Sequence, residues 1–482
     1  MAISLKKQVF SSMKWNTLAV IVNVLVQVLR ISVLARFLDR DDFGMIAIAL
    51  MIVSFTEIFA DLGFTVPLIH KQNISNNEYS SVFWVNNILA VLIFAILYFS
   101  APLIARIYET PQLVSVIQSL GITIILNALG KIFQTIKQKE LEYKFISLVS
   151  IISNLVGFAL MIVFAIMGCK IWSLVWGTII MTTLRQGVYF LTGLRNSPVR
   201  FHCSLQEISD FIRIGTYQVG AQILDFIASK IDIIILGKTV GMDNLGTYNL
   251  AKELIIKCYA LSNSLTKGVM SAAFAKIQND IQTLKATYLK FCNINSWVFV
   301  PLFAIVFLFA DDISMIMYGN KWHSIYQVLA ILAIYGAFSV ITGPIASILI
   351  SLGRTDLSLW WTLVQSIVSA VGIIIAGHFG FMPVVYAQVP ISVILFIFSW
   401  FLIIKKILPI SLLEYSKNTG LPIFDCFVIA LILTIIQSWL SDSPAADFFM
   451  GAVFILCYII ILNYRIPQLK ASIMSLINKK NI

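Results

Sequence analysis

Apolar runs long enough to cross a bilayer recur from one end of this 482-residue chain to the other. A spanning helix needs about 20 mostly apolar residues. Only 12% of the residues are charged and the mean hydropathy is +0.91, whereas a soluble domain averages roughly 25% charged residues. No soluble domain is left over. The runs predict about fourteen spans, near 13–36, 44–69, 79–105, 112–136, 145–167, 171–194, 211–237, 245–275, 288–310, 324–350, 358–377, 383–404, 423–440 and 446–464. Backbone inside hydrocarbon must bond to itself, which leaves helices or closed barrels. The runs are continuous, not alternating, which excludes a barrel. The expected class is an all-α polytopic membrane protein.

The net charge is +11, and its placement carries more information than its size. Alternate loops fall on two sides. The side holding both termini then has about 21 Lys and Arg, with clusters at Lys6, Lys7 and Lys14, at Lys137, Lys139 and Lys144, and at Lys405, Lys406 and Lys417. The other side has about six: Arg36, Arg40, Arg106, Lys170, Lys238 and Lys321. The positive-inside rule therefore puts both termini in the cytoplasm. The basic charge reads as topology and calls for no nucleic-acid partner. No small-residue cleavage site follows the first basic cluster, so the first span is expected to be an uncleaved anchor. The six cysteines are scattered without a CxxC pair and the four histidines are isolated, which gives no metal or disulfide signal. No cofactor is expected. All loops on the outer side are short, which leaves little room for the active site of an outer-face enzyme.

A polar stripe lies inside the apolar runs, and it occurs twice. Asn16, Asn23, Gln27 and Arg30 share one face of the first span. About 202 residues later, Gln218, Asp225, Ser229 and Asp232 repeat the spacing. Each stripe runs into a matching signature. The first reads Leu34-Ala35-Arg36 to Asp41-Asp42-Phe43-Gly44, and the second reads Leu236-Gly237-Lys238 to Asp243-Asn244-Leu245-Gly246. Gly168 and Gly380 echo each other at a similar offset. The expected organisation is a six-helix bundle over 1–200, a second over 201–410, and two further helices with a cytoplasmic tail over 411–482. Six is even, so the two repeats enter the bilayer in the same direction and are parallel. The linker from Arg195 to Asp210 contains Pro198, and Ser204-Leu205-Gln206-Glu207 has the pattern of a capping box that starts the next helix.

Arg30, Glu57, Asp61, Lys131, Arg185, Asp225, Lys230, Asp232, Lys252, Glu253, Lys257 and Lys267 fall within or near hydrocarbon depth. An ionised side chain there costs at least ~2.5–3.5 kcal/mol on insertion scales, so these groups must line a wet cavity or pair with one another. The basic members outnumber the acidic ones, which suits an anionic substrate. Arg binds phosphate bidentately and Lys binds it as a point charge. Arg30, Lys257, Lys252, Lys230 and Arg185 are the candidate anion-binding residues. Asn23, Gln27, Glu57, Asp61, Asp225, Asp232 and Glu253 are the candidate polar lining. Glu57 and Asp61 lie one turn apart, and such a pair can carry H⁺ or hold Na⁺. Structural readings stay open beside these. Asp232 can pair with Lys230 or Arg30, Glu253 can neutralise Lys257 at i, i+4, Glu57 and Asp61 can hydrogen-bond to pack helices, and Lys131 and Lys267 can snorkel. Gly343-Pro344 is the expected hinge of the tenth span.

Leu34 to Gly44, followed by Phe59-Ala60-Asp61-Leu62-Gly63-Phe64, resembles the N-terminal signature of Wzx-type polysaccharide flippases. These belong to the polysaccharide transporter family of the multidrug/oligosaccharidyl-lipid/polysaccharide exporter superfamily. The resemblance implies two six-helix bundles forming a V around a central cavity. It further implies a multi-pass protein of the bacterial inner membrane that flips undecaprenyl-diphosphate-linked oligosaccharide repeat units between leaflets for capsule, exopolysaccharide or O-antigen assembly. Its partners would be the lipid-linked substrate, the bilayer and polysaccharide polymerase or export machinery. Arg30 and Lys257 are the residues nearest to the cationic headgroup site that the resemblance implies. In such flippases the last two helices can form a groove for the lipid tail; here Asp425 departs from a purely apolar groove. Competing readings are a lipid II flippase, a cation-coupled drug antiporter of the same superfamily, and a membrane polysaccharide polymerase or ligase. Fourteen spans and a basic cavity weigh against the antiporter, and the short outer loops weigh against the enzyme.

Overall fold

A computed structural model describes residues 2–71, 74–196, 199–437 and 444–465. Pro198, Asp442 and the basic tail after Arg465 lie outside the described residues. The first seven helices are α1 (Ala2–Ala35), α2 (Arg40–Ala60), α3 (Thr65–His70), α4 (Asn76–Ile107), α5 (Leu113–Lys139), α6 (Tyr143–Ile166) and α7 (Ile171–Asn196). They are followed by α8 (Ser209–Thr239), α9 (Gly241–Lys276), α10 (Ile281–Leu308), α11 (Ala310–Tyr318), α12 (Ile325–Thr342) and α13 (Pro344–Ser351). The last six are α14 (Thr355–Gly377), α15 (Phe381–Phe398), α16 (Lys405–Ile407), α17 (Leu412–Thr419), α18 (Leu421–Gln437) and α19 (Pro444–Arg465). Among the described residues, nine helices are long and apolar enough to cross a membrane, ten if the bent pair α17 and α18 is one span. The protein is thus an all-α polytopic membrane protein. Helices α7, α8 and α9 run for 26, 31 and 36 residues and are not among those nine or ten. They are long enough to span at 1.5 Å per residue, and they carry Arg185, Asp225, Lys230, Asp232, Lys252, Glu253 and Lys257. A count of about fourteen spans is compatible with this set.

The chain divides into two compact units, 1–250 with 365–381, and 251–364 with 382–482. The linker after α7 therefore lies inside the first unit, because α8 packs on α2 and α3.

In the first unit α5 is the central helix and packs against α2, α3, α4 and α7. Without water to expel, helices in a bilayer associate by close packing, and small residues permit it. A Cβ on Gly130 of α5 would lie 2.7 Å from the Gln186 carbonyl oxygen of α7, and one on Gly193 would lie 2.1 Å from the Phe133 ring. One end of the bundle is filled by an aromatic cluster that includes Phe64, Phe83, Phe133, Tyr189 and Phe211. Polar residues add cross-helix ties: Asn23 of α1 donates to the Ser150 hydroxyl at 3.0 Å and accepts from Asn154 at 2.8 Å, both on α6.

The linker differs from expectation at its helix start. Residues 205–208 form turns and α8 begins at Ser209 without a side-chain cap. The Ser204 amide is instead taken by the Ser81 hydroxyl of α4 at 3.0 Å. That bond ties the linker to the bundle and places Ser204 too early to cap the helix.

The two repeated signatures meet in this unit. A Cβ on Gly44 would sit 2.2 Å from the Met242 carbonyl oxygen, and one on Gly246 would sit 1.9 Å from the Arg40 carbonyl oxygen. Residues 40 and 44 are thus matched with 242 and 246 in a reciprocal contact. Arg40 and Asp243 form an ion pair at 3.7 Å beside it. Gly168 and Gly380 both take left-handed turns, with φ of 78° and 108°, a conformation that favours glycine.

In the second unit α10 is central and packs on α12, α17 and α18. Asn295 of α10 donates to the Val340 carbonyl at 2.9 Å and accepts from the Ser262 hydroxyl at 3.1 Å. At Gly343-Pro344, α12 ends at Thr342 and Pro344 opens α13, and the two run on as one span over Ile325–Ser351. Proline at that position has no amide to lose from the new helix. Pro102, Pro301 and Pro390 lie inside α4, α10 and α15.

Candidate functional site

Helix α2 turns two unlike faces to its surroundings. Met51, Ile52, Phe55 and Phe59 lie on one, and Glu57 and Asp61 lie on the other, following the 3.6-residue period. The acidic face opens into a polar cavity of about 300 Å³ inside the first unit, lined from α2, α4, α5 and α7. Its walls carry Glu57, Asp61, Asn86, Asn127, Lys131, Gln134, Arg185 and Gln186. Two carboxylates therefore share one cavity with two cations. That balance answers the cost of buried charge, since isolated ions at this depth are disfavoured.

Asn127 organises the site. Its Nδ2 donates to Glu57 Oε1 at 2.7 Å, and its Oδ1 accepts from Gln186 Nε2 at 2.9 Å. One carboxamide so links α2 through α5 to α7. Asp61, which follows the last residue of α2, accepts from the Thr65 hydroxyl at 3.4 Å. Gly130 lets α5 and α7 come close enough for the Asn127–Gln186 bond. Arg185 Nε, Asn86 Oδ1 and Gln186 Oε1 are buried and make no hydrogen bond to the protein. The cavity consequently has donor and acceptor capacity left for a small polar guest or a proton carrier.

Of the residues expected from sequence, the cavity brings together Glu57, Asp61 and Arg185. Lys131 joins them as a functional candidate. Asn86, Asn127, Gln134 and Gln186 were not expected. Asn127, Lys131 and Gln134 stand at i, i+4 and i+7 on α5, the same spacing that marked the first stripe, so a search for neutral polar residues would have found them. Asn86 lies in an apolar stretch of α4 beside Asn87, and its spacing carries no such signal.

The other expected residues lie elsewhere. Asn23, Gln27 and Arg30 are half-buried on α1. On α8, Asp225 is exposed, Lys230 is half-buried and Asp232 is buried. Asp232 accepts from the Tyr248 hydroxyl at 2.7 Å and from the Ile233 amide at 2.9 Å. Lys252, Glu253 and Lys257 follow one another along α9 in the second unit, with Lys252 buried and the others half-buried. None of Arg30, Asp225, Lys230, Asp232, Lys252 and Lys257 is without a partner.

A family model described as "Polysaccharide biosynthesis protein" matches residues 33–327, which takes in both signatures and the whole polar cavity. The chain belongs to this family. Among the relatives it resembles, the teichuronic acid biosynthesis protein TuaB of Bacillus subtilis (strain 168) is 25% identical over 98% of both chains. The lipopolysaccharide biosynthesis protein WzxC of Escherichia coli (strain K12) is 24% identical over 87% of this chain and 86% of its own. The succinoglycan biosynthesis transport protein ExoT of Rhizobium meliloti (strain 1021) is 22% identical over 75% of this chain and 73% of its own. Among solved structures, the lipid II flippase MurJ in an inward closed conformation matches with a TM-score of 0.77 at 15% identity, covering 94% of this chain and 99% of its own. An inward-facing multidrug resistance transporter of the MATE family matches with a TM-score of 0.62 at 13% identity, covering 79% and 94%. The family member described here therefore has the fold shared by MurJ and MATE proteins, and its relatives are named for lipopolysaccharide and teichuronic acid biosynthesis and for succinoglycan transport.

Proposed function

We propose that this protein is a flippase that moves undecaprenyl-diphosphate-linked oligosaccharide repeat units from the cytoplasmic to the outer leaflet for capsule, exopolysaccharide or O-antigen assembly. The carrying observation is family membership over residues 33–327 joined to a fold made of membrane helices around buried, charge-balanced polar residues. A chain with such residues and short outer loops is suited to passing a polar headgroup across a bilayer. The protein resides in the bacterial inner membrane with both termini in the cytoplasm, and it works beside polymerase or export machinery. Arg30, Lys230, Lys252, Lys257 and Arg185 supply the positive charge that accompanies the diphosphate through alternating access. Asn23, Gln27, Asp225, Asp232 and Glu253 complete the polar lining.

Coupling belongs to Glu57 and Asp61. With Lys131 and Arg185 already in the cavity, one proton taken by either carboxylate changes a balanced site into one of net charge +1. That change alters the cost of burying the site and can drive a shift between two packings. The site has its own cations, which favours H⁺ over Na⁺ as the coupling ion.

Deletion of the gene in its own host tests the function. The expected result is loss of surface polysaccharide, with lipid-linked repeat units accumulating on the cytoplasmic face and full rescue by the wild-type gene. Normal surface polymer after deletion would overturn the proposal. A well-expressed Arg30→Ala/Lys257→Ala variant is expected not to rescue; if it does, the cationic residues are misassigned.

A further inference from the structure

On the face of α2 away from the carboxylates lies a second cavity, of about 840 Å³, with α2 as its floor and α4 and α8 as its walls. Its lining is almost wholly apolar, from Met51 to Leu62 on the α2 side, Leu89 to Tyr108 on the α4 side, and Phe226 to Ile234 on α8. Phe55 and Phe226 hold floor and wall together, with ring centroids 5.2 Å apart.

Two observations say what fills it. The first is length. From Leu89 to Tyr108 the groove follows α4 for roughly 28 Å at 1.5 Å per residue. The hydrocarbon of a whole bilayer is about 30 Å thick, so one leaflet is roughly half that. The tail of an ordinary phospholipid spans one leaflet and fills half of the groove. A long isoprenoid chain fills it all. The second is charge. At the outer end Tyr108 closes against Gly237 of α8, where a Cβ would lie 2.8 Å from the Tyr108 ring. Arg106, two residues before Tyr108, and Lys238, beside Gly237, are both exposed, as is Glu109 next to Tyr108, and none of the three lines the groove itself. The net charge of these three is positive, which complements an anionic headgroup.

We propose that the groove between α2, α4 and α8 holds the polyprenyl tail of a diphosphate-linked lipid, with the diphosphate at Arg106 and Lys238 on the outer face. The site deepens the flippase reading and rests on it: it is where the flipped lipid waits before leaving. Helix α2 then separates two compartments, a polar cavity that senses charge and an apolar groove that holds the tail.

The test uses the full chain in nanodiscs and photoactivatable probes, one a C55 polyprenyl diphosphate, one the uncharged polyprenol, and one phosphatidylglycerol. Labelled peptides are mapped by mass spectrometry. The diphosphate probe is expected to label α2, α4 and α8 around the groove. Ile93→Trp and Ser100→Trp narrow the groove from its wall and are each expected to reduce that labelling roughly fivefold or more. Phe99→Trp, on the same helix but 80% exposed and outside the lining, is expected to leave it unchanged. Arg106→Ala/Lys238→Ala is expected to weaken the diphosphate probe and spare the polyprenol. Labelling that maps to α18 and α19, or equal labelling of the groove by phosphatidylglycerol, overturns the proposal. These outcomes are separable from transport: groove labelling that persists where deletion leaves surface polymer intact sinks the flippase reading, and rescue by both tryptophan variants with unchanged labelling sinks the groove.

Discussion

Replacing Gly246 with alanine tests the contact between the repeats directly. The new Cβ would lie 1.9 Å from the Arg40 carbonyl oxygen, where a C···O contact normally stands at about 3.3 Å or more. About 1.4 Å has to be recovered, and the obstacle is helix backbone rather than a side chain that can rotate away. Overpacking typically costs 1–3 kcal/mol, occasionally more, and the rigid partner puts Gly246→Ala at about 3 kcal/mol. Gly44→Ala meets the Met242 carbonyl at 2.2 Å and should cost slightly less. The two are not independent, because either one pushes the same two helices apart. The double variant should therefore cost less than the sum, with a coupling of about 1–3 kcal/mol. Thermal unfolding in detergent, followed by tryptophan fluorescence, measures all three against wild type. Gly220→Ala is the control: it lies in α8 with nothing within 4 Å of the new Cβ, and an alanine there is neutral or slightly stabilising. Stability of Gly246→Ala within about 0.5 kcal/mol of wild type, or strict additivity of the pair, would refute the reasoning.

Three further outcomes are expected. Asn127→Leu removes the donor to Glu57 and the acceptor for Gln186, which should cost about 1–3 kcal/mol through unsatisfied buried groups and abolish surface polymer in a complementation assay. Glu57→Gln and Asp61→Asn should keep the protein folded and keep lipid bound while removing the response of flipping to a proton gradient, measured in proteoliposomes with an imposed pH step. Tyr248→Phe deletes the 2.7 Å bond to buried Asp232 and should lower stability by about 1.5–3 kcal/mol, whereas breaking the half-exposed Lys285–Glu414 pair should cost about 1 kcal/mol or less and vanish in high salt.

Much of this architecture was legible because membranes simplify the problem. Length and apolarity alone define α1, α2, α4, α5 and α6 as spans, and the signatures matched in sequence at 34–44 and 236–246 touch at their glycines. The polar cavity was only half legible. Glu57, Asp61 and Arg185 stand out as charges at depth, but Asn127 and Gln186 are neutral, and their importance follows from a bond between helices that one-dimensional spacing does not encode. The start of α8 was misread for a related reason: Ser204-Leu205-Gln206-Glu207 has the pattern of a cap, but a distant serine on α4 had already claimed its backbone. The apolar groove was invisible, because Ile93 or Phe226 in sequence is indistinguishable from any lipid-facing residue.

The two-faced character of α2 has a bearing on how the protein is made. Glu57 and Asp61 leave the ribosome long before the residues that balance them. Arg185 lies 128 positions after Glu57, and at 5–20 residues per second that gap lasts roughly 6–26 s. Lys131 emerges first, 74 positions after Glu57; until then α2 offers the bilayer two acids with no cation beside them, and until Arg185 arrives it has only one. Either the carboxylates enter as neutral acids or the helix waits at the insertion machinery for α5 and α7 to arrive. The order of helices in the gene thereby sets a timetable for biogenesis, and the cavity is finished only when its last wall emerges.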